Sequence, residues 1–135
     1  MVSFVATTAA LPSRDVARSI EFYRDVLGFE VPHSEDGFAV LVRGGGRINL
    51  WGATDDSWQT RSEWERPVVS GAESFIAGTA SCRIQVDGVD ELYAHCKERG
   101  VLHPKGDLRD EWWGTREFAV LDPDGNLIGL YEERS

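Results

Sequence analysis

Three histidines, His33, His95 and His103, are the only imidazoles that could serve as a general base or bind a transition metal. No two of them stand three or four residues apart, the spacing at which side chains meet on one helix face. His95 falls off the apolar stripe of Val89, Leu92 and Cys96, so it is expected to be exposed, while His103 precedes Pro104 in a loop and His33 follows Pro32. Cys82 and Cys96 make no CxxC pair and read as buried free thiols. Glu117, beside an apolar strand, is the carboxylate placed to act as a base without a metal. Gly44–Gly46 reads as a hairpin turn and not a phosphate loop, because no Lys-Ser/Thr follows and the next element is a strand.

The stronger chemical signal is aromatic. Trp112 and Trp113 are adjacent and flanked by Asp110, Glu111 and Gly114. Neighbours on a strand face opposite sides, so one ring is expected to face a cleft or a partner. Trp51 ends an apolar strand near the same region. Asp107, Asp110, Glu111 and Glu117, with Glu35 and Asp36, form a candidate anionic rim, which would attract a cation modestly and in a salt-dependent way.

These residues hang on an internal repeat. FAVLVRGGGRINL (38–50) aligns without a gap on FAVLDPDGNLIGL (118–130), each an apolar strand, a Gly-containing turn and a second apolar strand. Upstream of the first hairpin, Val16, Ile20, Tyr23 and Leu27 form a helical stripe, with Ser13 or Asp15 as N-cap and Gly28 as the closing residue. Upstream of the second, Val89, Leu92, Tyr93 and Cys96 follow Asp87 or Asp90, and Gly100 closes. Strands are predicted before each helix (Phe4 to Ala10; Ala80 to Val86) and after it (around Phe29 to Val31; near Val101 to Leu102). The second copy carries eight extra residues between helix and hairpin. The expected fold is α+β: two tandem β-α-β-β-β modules sharing a core and forming a curved mixed sheet with a ligand cup. The organisation is one domain over 1–135, with module one at 3–51, a connecting loop at 52–79 and module two at 80–133. Long loops inside a compact domain are usually functional or mobile, so Trp58 and Trp64 are candidates for a lid or for local packing.

The chain has 135 residues, 14 Lys plus Arg and 23 Asp plus Glu, for a formal net charge of −9. A chain of this length buries roughly 70% of its unfolded surface and needs no disulfide or metal to fold. The acidic balance disfavours a nucleic-acid partner and suits a cationic one. No stretch approaches the roughly 18 apolar residues of a membrane span, and the N-terminus lacks the basic region of a signal peptide, so a cytoplasmic location is expected.

With FYRDVLGFEV after the first helix start and REFAVLDPDGNLI near the end, the two modules resemble the vicinal oxygen chelate superfamily of glyoxalases, extradiol dioxygenases and bleomycin-resistance proteins. The resemblance implies metal ligands at four strand positions, which fall here on Thr8, Asn49, Ser81 and Gly129. Hydroxyls and an amide are weak ligands for a transition metal, and glycine offers no side chain. The reading is therefore a binding protein with no metal, no cofactor and no catalytic residue. The alternative is a glyoxalase-like lyase or dioxygenase with non-standard ligands. The bleomycin-resistance branch is the nearest local pattern through LPSRDVARSIEFY and WWGTREFAVLDPDGN. It implies a homodimer that sequesters a cationic, aromatic drug in aromatic crevices at the subunit interface. Its aromatic positions fall on His33, Phe38 and Trp113, and the expected ligand-binding set is His33, Phe38, Trp51, Trp112, Trp113 and Glu111. The branch's proline associated with strand exchange between subunits falls on Ala9.

Overall fold

The structure, a computed structural model, describes residues 1–53, 72 and 75–134; Trp58 and Trp64 lie outside the described residues. Module one runs β1 (Ala9–Ser13), α1 (Val16–Asp25), β2 (Glu30–Glu35), β3 (Phe38–Arg43) and β4 (Gly46–Gly52). Module two runs β5 (Ser81–Gln85), α2 (Val89–Glu98), β6 (Arg109–Asp110), β7 (Thr115–Leu121) and β8 (Leu127–Glu133). Each module makes its own four-stranded mixed sheet, ordered β1-β4-β3-β2 and β5-β8-β7-β6, with the first strand parallel to the last.

The helices begin where side chains can satisfy their free N–H groups. At α1, the Asp15 carboxylate accepts from the Arg18 amide at 3.1 Å. At α2 neither Asp87 nor Asp90 caps: Gly88 is the N-cap, and Glu132 on β8 accepts from the Gly88 amide at 2.6 Å. A carboxylate from β8 thus satisfies the start of α2 in place of a side chain close in sequence. Both helices end on a left-handed glycine, Gly28 at φ 71° and Gly100 at φ 70°.

Two strand expectations need correction. β1 starts at Ala9, not Phe4. Ala9 pairs with Ile48, and β4 begins only two residues earlier at Gly46, so residues before Thr7 meet no strand that could satisfy their backbone groups. Phe4 and Val5 consequently stand 99% and 91% exposed. In module two, Val101-Leu102 makes only a single bridge, Leu102 to Val120. The strand added to β7 is β6, formed inside the eight extra residues.

The repeat is also not as regular as its letters. Ala39 and Leu41 of β3 are buried opposite Leu50 and Ile48. In β7 the buried residues are Phe118 and Val120, opposite Leu130 and Ile128. The gapless alignment therefore holds for β4 and β8 but is off by one for β3 and β7, and a slip of one residue reverses every side chain. Phe38 lies on the open face of its sheet, whereas Phe118 packs in the core, edge-on to Tyr93 with ring centroids 5.3 Å apart.

Buried residues of both modules form one cluster. A polar latch crosses the join. Tyr23 donates to Asp122 at 2.7 Å, Ser19 donates to Asp124 at 3.1 Å, and the Asn126 amide donates to the Pro12 carbonyl at 2.7 Å. All of these side chains are buried, and the Asp124 carboxylate also accepts from the Arg14 amide and the Arg18 guanidinium. Burial, reinforced by the Asp122 charge, pushes the Tyr23 phenol far above its ordinary pKa, so it remains a donor. The Asp122–Asn126 turn is therefore a joint between modules as well as a hairpin connection. His95 belongs to the same seam: half-buried, not exposed, its Nε2 lies 2.9 Å from the Val26 carbonyl.

Candidate functional site

The face of each sheet turned away from the core carries the side chains that alternate with the buried ones. On module one, β3 offers Phe38 and Val40, and β4 offers Asn49 and Trp51. Direct cross-strand pairing sets Phe38 opposite Trp51 and His33 opposite Val40. The Phe38 and Trp51 rings lie 4.5 Å apart at 59°, and His33 stands 6.1 Å from Phe38. Phe75 extends the group, stacking on Trp51 at 5.5 Å and 21°. Trp51 remains 39% exposed. The result is a continuous aromatic platform of the kind that holds a flat or cationic ligand by stacking. Sequence reasoning found His33, Phe38 and Trp51 but missed Phe75, which follows a stretch without periodicity and reaches Trp51 through a left-handed backbone at φ 50°.

Trp112 and Trp113 form a separate group. They occupy the turn between β6 and β7, not a strand, so the rule of opposite faces does not govern them. Their rings touch each other edge-on at 5.5 Å and 84°, and they are 90% and 50% exposed. Among the described residues, no ring contact joins this pair to the module-one platform. Glu111 precedes the pair and holds Arg109 at 2.8 Å.

Half of the expected anionic rim, the module-two carboxylates Asp110, Glu111 and Glu117, is paired with arginines. Asp110 pairs with Arg116 at 3.2 Å, Glu111 with Arg109, and Glu117 with Arg83. Glu117 is the most constrained: its Oε2 accepts from both Arg83 and Thr115 at 2.5 Å. Burial raises its pKa, but the hydrogen bonds from Thr115 and Arg83, the Arg83 charge and a hydrogen bond from Trp113 outweigh it and leave the carboxyl below its usual range. The Glu117 carboxylate thus anchors Arg83 and Thr115 in the fold.

Arg83, not singled out by the sequence, dominates the open face of module two. Its guanidinium lies 3.9 Å from the centre of the Tyr131 ring, and its stem covers Gly129, where an added Cβ would come within 3.2 Å of Arg83 Cγ. The signal that could have found it is alternation in Ser81-Cys82-Arg83-Ile84-Gln85, where polar residues mark one face of β5. A cavity of about 390 Å³ lies beside it, bounded also by Ser81, His103, Lys105 and Glu111. A larger hollow of about 1150 Å³ lies between the modules, bounded by Arg47 and Ile48 of β4, Ile84 and Gln85 of β5, and Leu92 of α2.

The open faces also hold the four positions that the resemblance implies for metal ligands. Asn49 faces Ala10 across β1 and β4, and Gly129 faces Arg83 across β5 and β8. Thr8 and Ser81 stand two residues before Ala10 and Arg83. Two hydroxyls, one amide and a glycine do not suit a divalent transition ion, and the Arg83 stem fills the space over the glycine. The residues do not fit a metal. The thiols offer no replacement: burial, with the Asp122 charge adding for Cys82, pushes Cys82 and Cys96 up to about 11. No helix among the described residues is long and apolar enough to cross a membrane.

Comparison with known proteins gives a consistent picture. The sequence pattern of the glyoxalase/bleomycin resistance protein/dioxygenase superfamily matches residues 5–130. A bleomycin resistance protein of Geobacillus stearothermophilus is 57% identical over 124 residues, covering 92% of this chain and 93% of the relative. A crystal structure of a bleomycin-binding protein complexed with bleomycin superposes with a TM-score of 0.66 at 26% identity, covering 98% of this chain and 100% of the other. The bleomycin-binding protein of bleomycin-producing Streptomyces verticillus, complexed with copper(II)-bleomycin, gives a TM-score of 0.67 at 25% identity, covering 96% and 97% of the two chains.

Proposed function

Since the chain belongs to the glyoxalase/bleomycin resistance protein/dioxygenase superfamily, we propose that it is a metal-free binding protein that sequesters bleomycin or a closely related drug. The observation that carries this reading is the half-exposed platform of Phe38 and Trp51, with rings 4.5 Å apart on an open sheet face, in a chain 57% identical to a bleomycin resistance protein. His33 and Phe75 extend the platform, and Trp113 with Trp112 offers a second stacking surface. Each stacking or cation–π contact is worth about 1 kcal/mol, so useful affinity needs several acting together. Sequestration requires no bond to break, which accords with the unfit metal positions.

The two aromatic groups do not touch within one chain, and this supports a homodimer in which Trp113 of one protomer completes the platform of its partner. The exposed arm carrying Phe4 and Val5 supports the same reading, because apolar side chains so fully exposed gain by covering. A cytoplasmic location, where a drug acting inside the cell would be intercepted, completes the proposal.

The test is tryptophan fluorescence titrated with bleomycin. Saturable quenching at micromolar drug is expected, weakened about tenfold in Trp113→Ala. Absence of quenching, or an unchanged titration in both Trp113→Ala and Phe38→Ala, would overturn the reading.

A further inference from the structure

We propose that Asn126, in the long turn of module two, is a positioning residue for the ligand platform of module one: it fixes the segment that carries Phe75 onto Trp51. Asn126 is fully buried, and its amide uses every hydrogen bond it can make. Its Nδ2 donates to the Pro12 carbonyl at 2.7 Å and to Asp122 at 3.0 Å. Its Oδ1 accepts from the Gly78 and Ala80 amides at 3.1 and 3.3 Å. One side chain thus ties β1, the Asp122–Asn126 turn and the chain entering β5 to a single point.

Only Ile76 and Ala77 separate Gly78 from Phe75. Ile76 and Gly78 are exposed, so hydrogen bonds rather than burial fix this path. The Thr79 hydroxyl closes the turn by donating to the Ile76 carbonyl at 2.6 Å. Gly78 has φ 80°, and an added Cβ would come within 3.0 Å of the Asp124 carbonyl, so a side chain there displaces the segment. Phe75 itself stands at φ 50°, a conformation that a bulky residue keeps only where its surroundings over-determine it. On one side the anchor is Asn126; on the other it is the Trp51 ring, stacked at 5.5 Å and 21°. Phe38 meets Trp51 tilted at 59°, so Phe75 is the near-parallel extension of the platform, and Asn126 holds it there. The inference rests on the reading of that platform as the ligand surface, and it gives the joint between modules a second task besides stability.

The experiment follows the Trp51 indole N–H by NMR, identified by its loss in Trp51→Phe, because a ring stacked beside it shifts its signal. Phe75→Leu should move this signal, and Gly78→Ala and Asn126→Ala should move it in the same direction. Adding Phe75→Leu to Gly78→Ala should move it little further. Ser19→Ala loosens the same joint through Asp124 and should leave the signal in place. In bleomycin titrations, Phe75→Leu and Gly78→Ala should each weaken binding about threefold, the loss of one aromatic stack, and the double variant should be no weaker than either alone. If Asn126→Ala fails to fold, Gly78→Ala carries the test. A Trp51 signal unmoved by Phe75→Leu or by Gly78→Ala, an equal shift in Ser19→Ala, or additive losses in the double variant would overturn the proposal. Absence of bleomycin binding with the indole shifts as expected overturns the proposed function and leaves the positioning of Phe75 standing, so the two failures are distinguishable.

Discussion

Phe38-Ala39-Val40-Leu41 and Phe118-Ala119-Val120-Leu121 have the same four letters and present opposite faces. In β3 the phenylalanine points to the open face and meets Trp51; in β7 it points to the core and meets Tyr93. The difference arises in the turns. Arg43 pairs with Gly46 across two intervening glycines, whereas Leu121 pairs with Leu127 across the five-residue turn Asp122–Asn126. Turn length sets register, and one residue of register exchanges inside for outside. The longer turn serves the joint between modules through Asp122, Asp124 and Asn126; the shorter one leaves Phe38 on the open face beside Trp51.

The largest test of this contrast is a pair of truncations. Phe118→Ala should destabilise the fold by about 3–5 kcal/mol, while Phe38→Ala should cost about 1 kcal/mol or less, both read by urea unfolding. Similar losses in the two variants would erase the distinction. Next in size, Asp124→Ala strips the acceptor from the Arg14 amide and one of two partners from buried Ser19, which keeps Ser13, and a loss of roughly 2–4 kcal/mol is expected. A loss confined to a few tenths would show that the turn is only a connection.

How much of this was legible beforehand follows from what each signal depends on. The repeat, the helices and the aromatic residues His33, Phe38 and Trp51 are local patterns, and they appear where periodicity and turn residues place them. The facing of β7 was not legible, because register depends on how a turn closes and not on the strand's own letters. Arg83 escaped for a different reason: a charged residue on a half-exposed strand is ordinary until Gly129 and Tyr131 are seen beneath it. The anionic rim was read from carboxylates alone, and the arginines that pair with half of it come from β5, β6 and β7, close to it only in the fold. Likewise, Glu132 caps α2 from 44 residues away, beyond any local rule.

Smaller effects sharpen the picture of module two. Glu117 has a lowered pKa in the fold, so its stabilising contribution is full above the ordinary carboxylate range and is lost as the pH falls through that lowered value. The melting temperatures of the wild type and Glu117→Gln should therefore differ at pH 7 by a few degrees at most and converge under acid conditions; a gap that widened on acidification would contradict the assignment. The smallest expected signal is chemical. With Cys82 and Cys96 both pushed up to about 11, iodoacetamide at pH 8 should label the folded protein far more slowly than the urea-unfolded chain.

The measurement that bears most directly on the account is isothermal titration of bleomycin into wild-type protein and Phe38→Ala, alongside their unfolding curves. The expected result is micromolar or tighter binding to the wild type, weakened about tenfold in Phe38→Ala with stability almost unchanged. An absence of binding, or equal affinity in the two proteins, would contradict the claim that the open face bearing Phe38 and Trp51 holds the drug.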